Sequence, residues 1–202
     1  DDFSGNSTSA GEYSWSNQTS GAGAAVTNIA GEAEHPGIRR FSTGTTVAGY
    51  AGLNNRLTFL DPDGGDNCRM ILRLGANTGI ILRCGIQDTF TGADNTDAYY
   101  FEFDPSLSAN WRFCTSAAGT RTKTSSSTAV AAATWYRLEI KVNSANSSVE
   151  FFVDGVSLGT ISTNIPTATT GISLIVQNDG VSSTSVDCDL DLVYWYNKSL
   201  NR

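Results

Sequence analysis

Between Cys68 and Asn197 the chain is divided into short alternating segments, CRMILRL, GIILRCGIQ, AYYFEFD, NWRFCTS, TWYRLEIKV, VEFFVDG, GISLIVQN and DCDLDLVYWYN, each bounded by Gly, Asn, Asp, Ser or Pro. A period of two sends successive side chains to opposite faces, so each segment buries one face only as a β-strand. No long apolar stripe with helical spacing competes with that pattern. About a dozen short strands at near-regular spacing, separated by turn residues, describe a sandwich or a barrel. The expected class is all-β. At 202 residues, 40% of them hydrophobic, the chain is long enough for one sizeable core. A single domain over 1-202 is therefore expected, with the Ser-, Gly- and Asn-rich stretch 1-30 as its loop-rich beginning.

The register of each strand identifies its inner face. Tyr136, Leu138, Ile140 and Val142 share one face, as do Val149, Phe151 and Val153, then Ile172, Leu174 and Val176. In the last strand strict alternation selects Cys188, Leu190, Leu192, Tyr194 and Tyr196. VEFFVDGVSLGT reads as a hairpin whose Asp154-Gly155 turn needs φ > 0 at both central residues. Gly37-Phe41 and Arg56-Leu60 read as earlier strands, and the small polar stretch Thr124 to Thr134 as a surface connection.

A formal charge of −7 disfavours nucleic acid as a partner, since phosphate counterions are displaced by a surplus of Lys and Arg. No apolar run of transmembrane length is present, and no membrane insertion is expected. Arg69, Arg73 and Arg83 fall on one register of two successive segments, either a cationic strip or an ordinary solvated face. Cys68, Cys84, Cys114 and Cys188 have no C-x-x-C spacing and one histidine to help them, which disfavours zinc. If Cys68-Leu74 paired with Ile80-Ile86 around GANTG, Cys68 would lie diagonal to Cys84, too far for a disulfide. Buried thiols are the reading, with bridges among other pairs as the rival.

TWYRLEIKVNSANSSVEFFVDGVSLGT resembles the Trp-led strand, polar turn and V-x-x-F-V-D-G-V-x-x-G strand of laminin-G-like domains in the concanavalin A-like lectin/glucanase superfamily. DLDLVYWYNKSL resembles the closing strand of that group, with its YN-x-x-L tail. The fold this implies is a jelly-roll sandwich of two antiparallel sheets. HPGIRRFSTGTTVAGYAGL, with TWYRLEIKV and GTISTNIP, is similar to lectin-like modules of tailed-bacteriophage virion proteins. That narrower resemblance implies a non-catalytic protein at the virion surface, decorating the capsid or adhering to host-cell glycans. Its partners would be other virion proteins or copies of itself. The alternative is a secreted polysaccharide-active enzyme or carbohydrate-binding module of the same fold.

Glycosidases need two carboxyl groups in register. Glu102 and Asp104 share a strand face and resemble the first acids of the glucanase E-x-D-x-E strand, but Ser106 stands where its last acid would be. The lyase strands R-T-E-x-R, Q-x-H and Y-K-x-G-x-Y are absent, so no catalytic residue is assigned. Asp187, Asp189 and Asp191 also share a register, as solvent-face residues or as ligands for calcium, the one cofactor considered; DPDGGDN at Asp61-Asn67 is a second calcium candidate. His35, the lone histidine, lies in a loop-like stretch and reads as a structural hydrogen-bonding residue. Tyr100, Trp135, Phe152 and Trp195 lie opposite the apolar register and are expected outside the main core, at a glycan site, at a subunit interface or under a loop.

Overall fold

The structure, a computed structural model, describes residues 15–60, 62, 64–91, 94–180 and 183–196, with backbone alone for 56–60. Fourteen strands follow in chain order: β1 Ser16–Ser20, β2 Ala25–Ile29, β3 Ile38–Ser42, β4 Tyr50–Leu60, β5 Asn67–Leu74, β6 Ile80–Gln87, β7 Ala98–Phe103, β8 Asn110–Ala117, β9 Thr120–Ala129, β10 Trp135–Val142, β11 Val149–Val153, β12 Val156–Ile161, β13 Thr170–Asn178 and β14 Asp187–Tyr196. They form two seven-stranded antiparallel sheets. The first has the order β1-β4-β13-β6-β7-β8-β9 and the second β12-β11-β10-β5-β14-β3-β2. The architecture is the expected two-sheet jelly-roll sandwich.

The inner faces meet through aromatic side chains. Phe101 of β7 stands edge-on to Phe151 of β11 at 5.4 Å, and Trp111 of β8 edge-on to Tyr136 of β10 at 5.3 Å. Such pairs add roughly 0.5–1.5 kcal/mol each to the area they bury. Leu138, Ile140, Val149, Phe151, Val153, Leu174 and Leu190 are all buried, as their registers require. At the hairpin of β11 and β12, Asp154 and Gly155 have φ of 53° and 83°, both left-handed as a type I′ turn needs.

Three local readings change. In β14 the register shifts between Leu190 and Leu192, making Asp191 an extra residue in a β-bulge. Past it the alternation inverts: Val193 is buried and Trp195 packs on the core, Leu192 is only half-buried, and Tyr194 and Tyr196 are 48% and 41% exposed. Strands β5 and β6 do not pair. GANTG carries the chain from the second sheet to the first, so Arg83 lies on the opposite sheet from Arg69 and Arg73 and the three make no common strip. Cys68 and Cys84 instead meet across the core, around a space lined also by Met70 and Leu138. Lastly, the first half of Thr124 to Thr134 is not a connection but the end of β9, the edge strand of the first sheet.

All four cysteines are free and buried. Burial pushes the Cys68 and Cys114 thiols up to about 12, and raises Cys84 and Cys188 as well.

Candidate functional site

Charged and aromatic side chains gather on the outer faces of both sheets. Cross-strand pairing on the second sheet sets them in rows. One row runs Phe152–Glu139–Arg69–Tyr194 across β11, β10, β5 and β14, and a parallel row runs Glu150–Lys141–Asn67–Tyr196. Glu139 is 5% exposed, accepting from Arg69 Nη2 at 2.8 Å and Asn67 Nδ2 at 3.2 Å, with Lys141 Nζ at 3.5 Å. Burial alone would raise its pKa; Arg69, Asn67 and Lys141 outweigh that and hold it below its ordinary value. The cations also lie over rings, Lys141 Nζ 4.4 Å from the Phe152 centroid and the Arg69 guanidinium 5.9 Å from that of Tyr194.

At the other end of this face a third row joins Trp135, Arg73, Asp189 and Arg40 across β10, β5, β14 and β3. Arg40 grips Asp189 with a fork of bonds at 2.7 and 2.9 Å, and Arg73 Nη2 donates to the same carboxylate at 2.8 Å. Burial opposes ionisation of Asp189, yet the two guanidiniums keep its pKa below the ordinary carboxylate value. Above this row the chain makes a tight turn closed by paired backbone bonds between Glu32 and His35. That turn sets Glu32 against Trp135 Nε1 at 2.6 Å and Arg73 Nη1 at 2.9 Å, and stacks the His35 ring on Trp135 at 3.9 Å. The bulged Asp191 bonds His35 Nδ1 at 2.9 Å, and Asp187 accepts from Ser42. The three aspartates proposed for calcium are thus engaged by arginine, serine and histidine, with Arg40 Nε 3.7 Å from Asp187 as well as bonded to Asp189. Among the described residues no cluster of His, Cys, Asp or Glu fits a metal ion; Asp61 and Asp63 lie outside them.

The first sheet's outer face is largely covered. The loop between β6 and β7 folds over it, with Phe90 against Gly52 and the Asn95 amide donating to Gln87 Oε1 at 2.7 Å. Beneath, Glu102 has no exposed surface. Its Oε1 accepts from Arg112 at 2.6 Å, and its Oε2 from Arg83 at 2.9 Å and Lys123 at 3.1 Å. Tyr100 lies in its predicted outward register but is fully buried there with Ala98 and Cys114. Asp104 is 7% exposed and accepts from the Ser106 amide and hydroxyl, closing the turn after β7. Glu102 and Asp104 are therefore not the solvated pair their alternation suggests.

Of the residues singled out from sequence, Arg69, Arg73, Trp135 and Phe152 share the second sheet's outer face, Arg83, Tyr100 and Glu102 share the first sheet's, and Trp195 belongs to the core. Tyr194 and Tyr196 were assigned inward, and Glu32, Arg40, Arg112, Glu139 and Lys123 were not singled out at all. Opposite charges in strands, as in Arg137, Glu139 and Lys141, carry the cross-strand signal, but only once the partner strand is known.

Residues 34–192 match the family model described as SO2946-like, C-terminal domain. Among solved structures the chain is similar to the protein of unknown function SO2946 from Shewanella oneidensis MR-1, with 16% identity and TM-score 0.66 over 90% of this chain and 77% of that one. A Bacillus licheniformis beta-glucanase superposes with 16% identity and TM-score 0.63 over 94% of each chain. The carbohydrate binding module CBM66 from Bacillus subtilis does so with 9% identity and TM-score 0.58, over 91% of this chain and 95% of that one. At these identities the likeness is one of fold, that of the concanavalin A-like lectins and glucanases. No curated protein matches the sequence.

Proposed function

The chain belongs to the SO2946-like C-terminal domain family, and from that premise we propose that it is a carbohydrate-binding domain that recognises glycans on the outer face of the second sheet. The observation that carries this is the pair Tyr194 and Tyr196, 48% and 41% exposed, on a face where Glu139 and Asp189 hold Arg69, Arg73 and Arg40 in ion pairs. Two residues apart on β14, the rings stand about 7 Å apart along the strand. A sugar's apolar C–H face packs on such a ring while its hydroxyls bond to neighbouring charged groups; Arg69 and Asn67 lie directly across from the two tyrosines. An exposed aromatic platform with few polar neighbours gives weak single-site affinity, which several copies on one surface multiply.

Binding without cleavage is the favoured form, because Glu102 and Asp104 are both engaged, by three cations and by Ser106. The finer placement, on a bacteriophage particle, is carried by sequence resemblance alone. Co-sedimentation of the purified chain with assembled particles tests it, against a free-standing secreted module as the alternative. The test of the main reading is a glycan-array screen repeated with Tyr194→Ala and Tyr196→Ala. Both variants are expected to melt like the parent and to lose most array signal. A parent-like array pattern in both variants overturns the reading.

A further inference from the structure

The cluster on the first sheet is richer in cations than in acids. Among the described residues, the ion pairs of Arg83, Arg112, Arg121 and Lys123 are made with two acids, Glu102 and Asp94, so the cluster holds two more cations than acids in a chain whose formal charge is −7. The side chains of Arg83, Arg112 and Lys123 are 10%, 14% and 18% exposed. Charge held this far from water calls for compensation. Glu102 forms the floor. Asp94, 39% exposed, comes from the covering loop: its Oδ1 is 3.0 Å from Lys123 Nζ and 3.3 Å from Arg83 Nη2, and its Oδ2 is 3.9 Å from Arg121 Nε. At the foot, the buried Tyr100 hydroxyl has no nitrogen or oxygen partner and lies beside the Cys114 thiol.

We propose that the cradle of Arg83, Arg121 and Lys123 around Asp94 is a binding site for the carboxylate of an acidic saccharide, and that Asp94 occupies it in the free protein as a built-in substitute. The geometry suits a carboxylate because one is already there, held from the solvent side rather than from the floor. As a saccharide site it rests on the reading of the chain as a glycan binder, but it lies on the opposite sheet from the tyrosines.

Calorimetric titration with glucuronate, and with glucose as the neutral control, tests it on the parent and on Asp94→Asn. The variant removes the competing charge and keeps the side chain's size. Glucuronate is expected to bind Asp94→Asn about tenfold more tightly than the parent, and adding Lys123→Met is expected to cancel that gain. Glucose should bind neither form at this site. A folded Asp94→Asn that binds glucuronate no better than the parent overturns the proposal. Should Asp94→Asn not fold, the parent's melting temperature decides. A saturable rise with glucuronate beyond that given by glucose, or by sodium chloride at equal ionic strength, supports the site, and its absence overturns it. Tyr194→Ala should leave the glucuronate response intact, so a failure of the tyrosine face and a failure of the cradle are read separately.

Discussion

Glu102→Gln is the substitution that most sharply separates the alternating-strand reading from the structure. If Glu102 sat on a solvated strand face, a glutamine there would be silent. In the structure both carboxylate oxygens accept from cations, Oε1 from Arg112 and Oε2 from Arg83 and Lys123. Glutamine turns one of those oxygens into an NH2 donor. Whichever way the amide is placed, a donor then faces a donor, and the floor of the cluster loses its one negative charge. Breaking a buried ion pair from one side costs about 3–5 kcal/mol. Arg112 and Lys123 retain 14% and 18% exposure and Asp94 still faces Arg83 and Lys123, so some charge can rehydrate or re-pair. The expected loss is about 2–4 kcal/mol. For a domain of this size that is a fall in melting temperature on the order of 5–15 °C. Urea unfolding followed by circular dichroism measures it, with Asp104→Asn as the internal control. Asparagine keeps the acceptor that Ser106 uses, so the control should lose no more than about 1 kcal/mol. A Glu102→Gln midpoint that coincides with the control's would refute the buried network.

Two further outcomes follow from the same packing. The four thiols, buried and with raised pKa values, should resist a water-soluble thiol reagent in the native protein and all react in guanidinium; rapid native labelling would contradict their burial. Asp189, Glu139 and Asp94 have folded pKa values below their ordinary 3.8, 4.5 and 3.8, so the unfolded chain binds protons that the folded one refuses. Their contribution is complete above about pH 4.5 and lost as pH falls through the depressed folded values. Urea midpoints should be level from about pH 7 to 5 and fall below that, and a steep loss between pH 7 and 6 would show that other groups dominate.

How far the sequence could be read depended on whether a feature is local. The hairpin at Asp154-Gly155 is local, because two residues and their φ angles define it. The inner registers of β10, β11 and β13 are nearly so, since alternation and one turn at each end suffice. The bulge at Asp191 is not. DCDLDLVYWY alternates without a break through Leu192, and nothing in it signals that Leu192 pairs with Ile71 while Leu190 pairs with Leu72. That one extra residue moved three predicted core side chains outward and drew Trp195 in. The pairing of β5 and β6 failed for a similar reason. GANTG is as good a hairpin turn as any in the chain, but each strand has two better partners: β10 and β14, both far away in sequence, for β5, and the next strand β7 together with the distant β13 for β6.

The bulge also explains why the two outer faces differ in kind. On the first sheet the covering loop supplies Asp94, Asn95 and Phe90 to close over Arg83, Gln87 and Gly52, so that the acids and cations beneath it pair within the chain. On the second sheet the same accounting is met sideways, row by row, through Glu139 and Asp189, and no loop is needed except the short turn that sets Glu32 and His35 over Trp135. Charges satisfied within the plane of the sheet leave the space above them open. The Asp191 bulge then places two tyrosines at the margin of that open plane, where uninterrupted alternation would have buried both. On the reading proposed above, the two exposed rings beside ion-paired Arg69 and Glu139 are the apolar surface on which a glycan would pack.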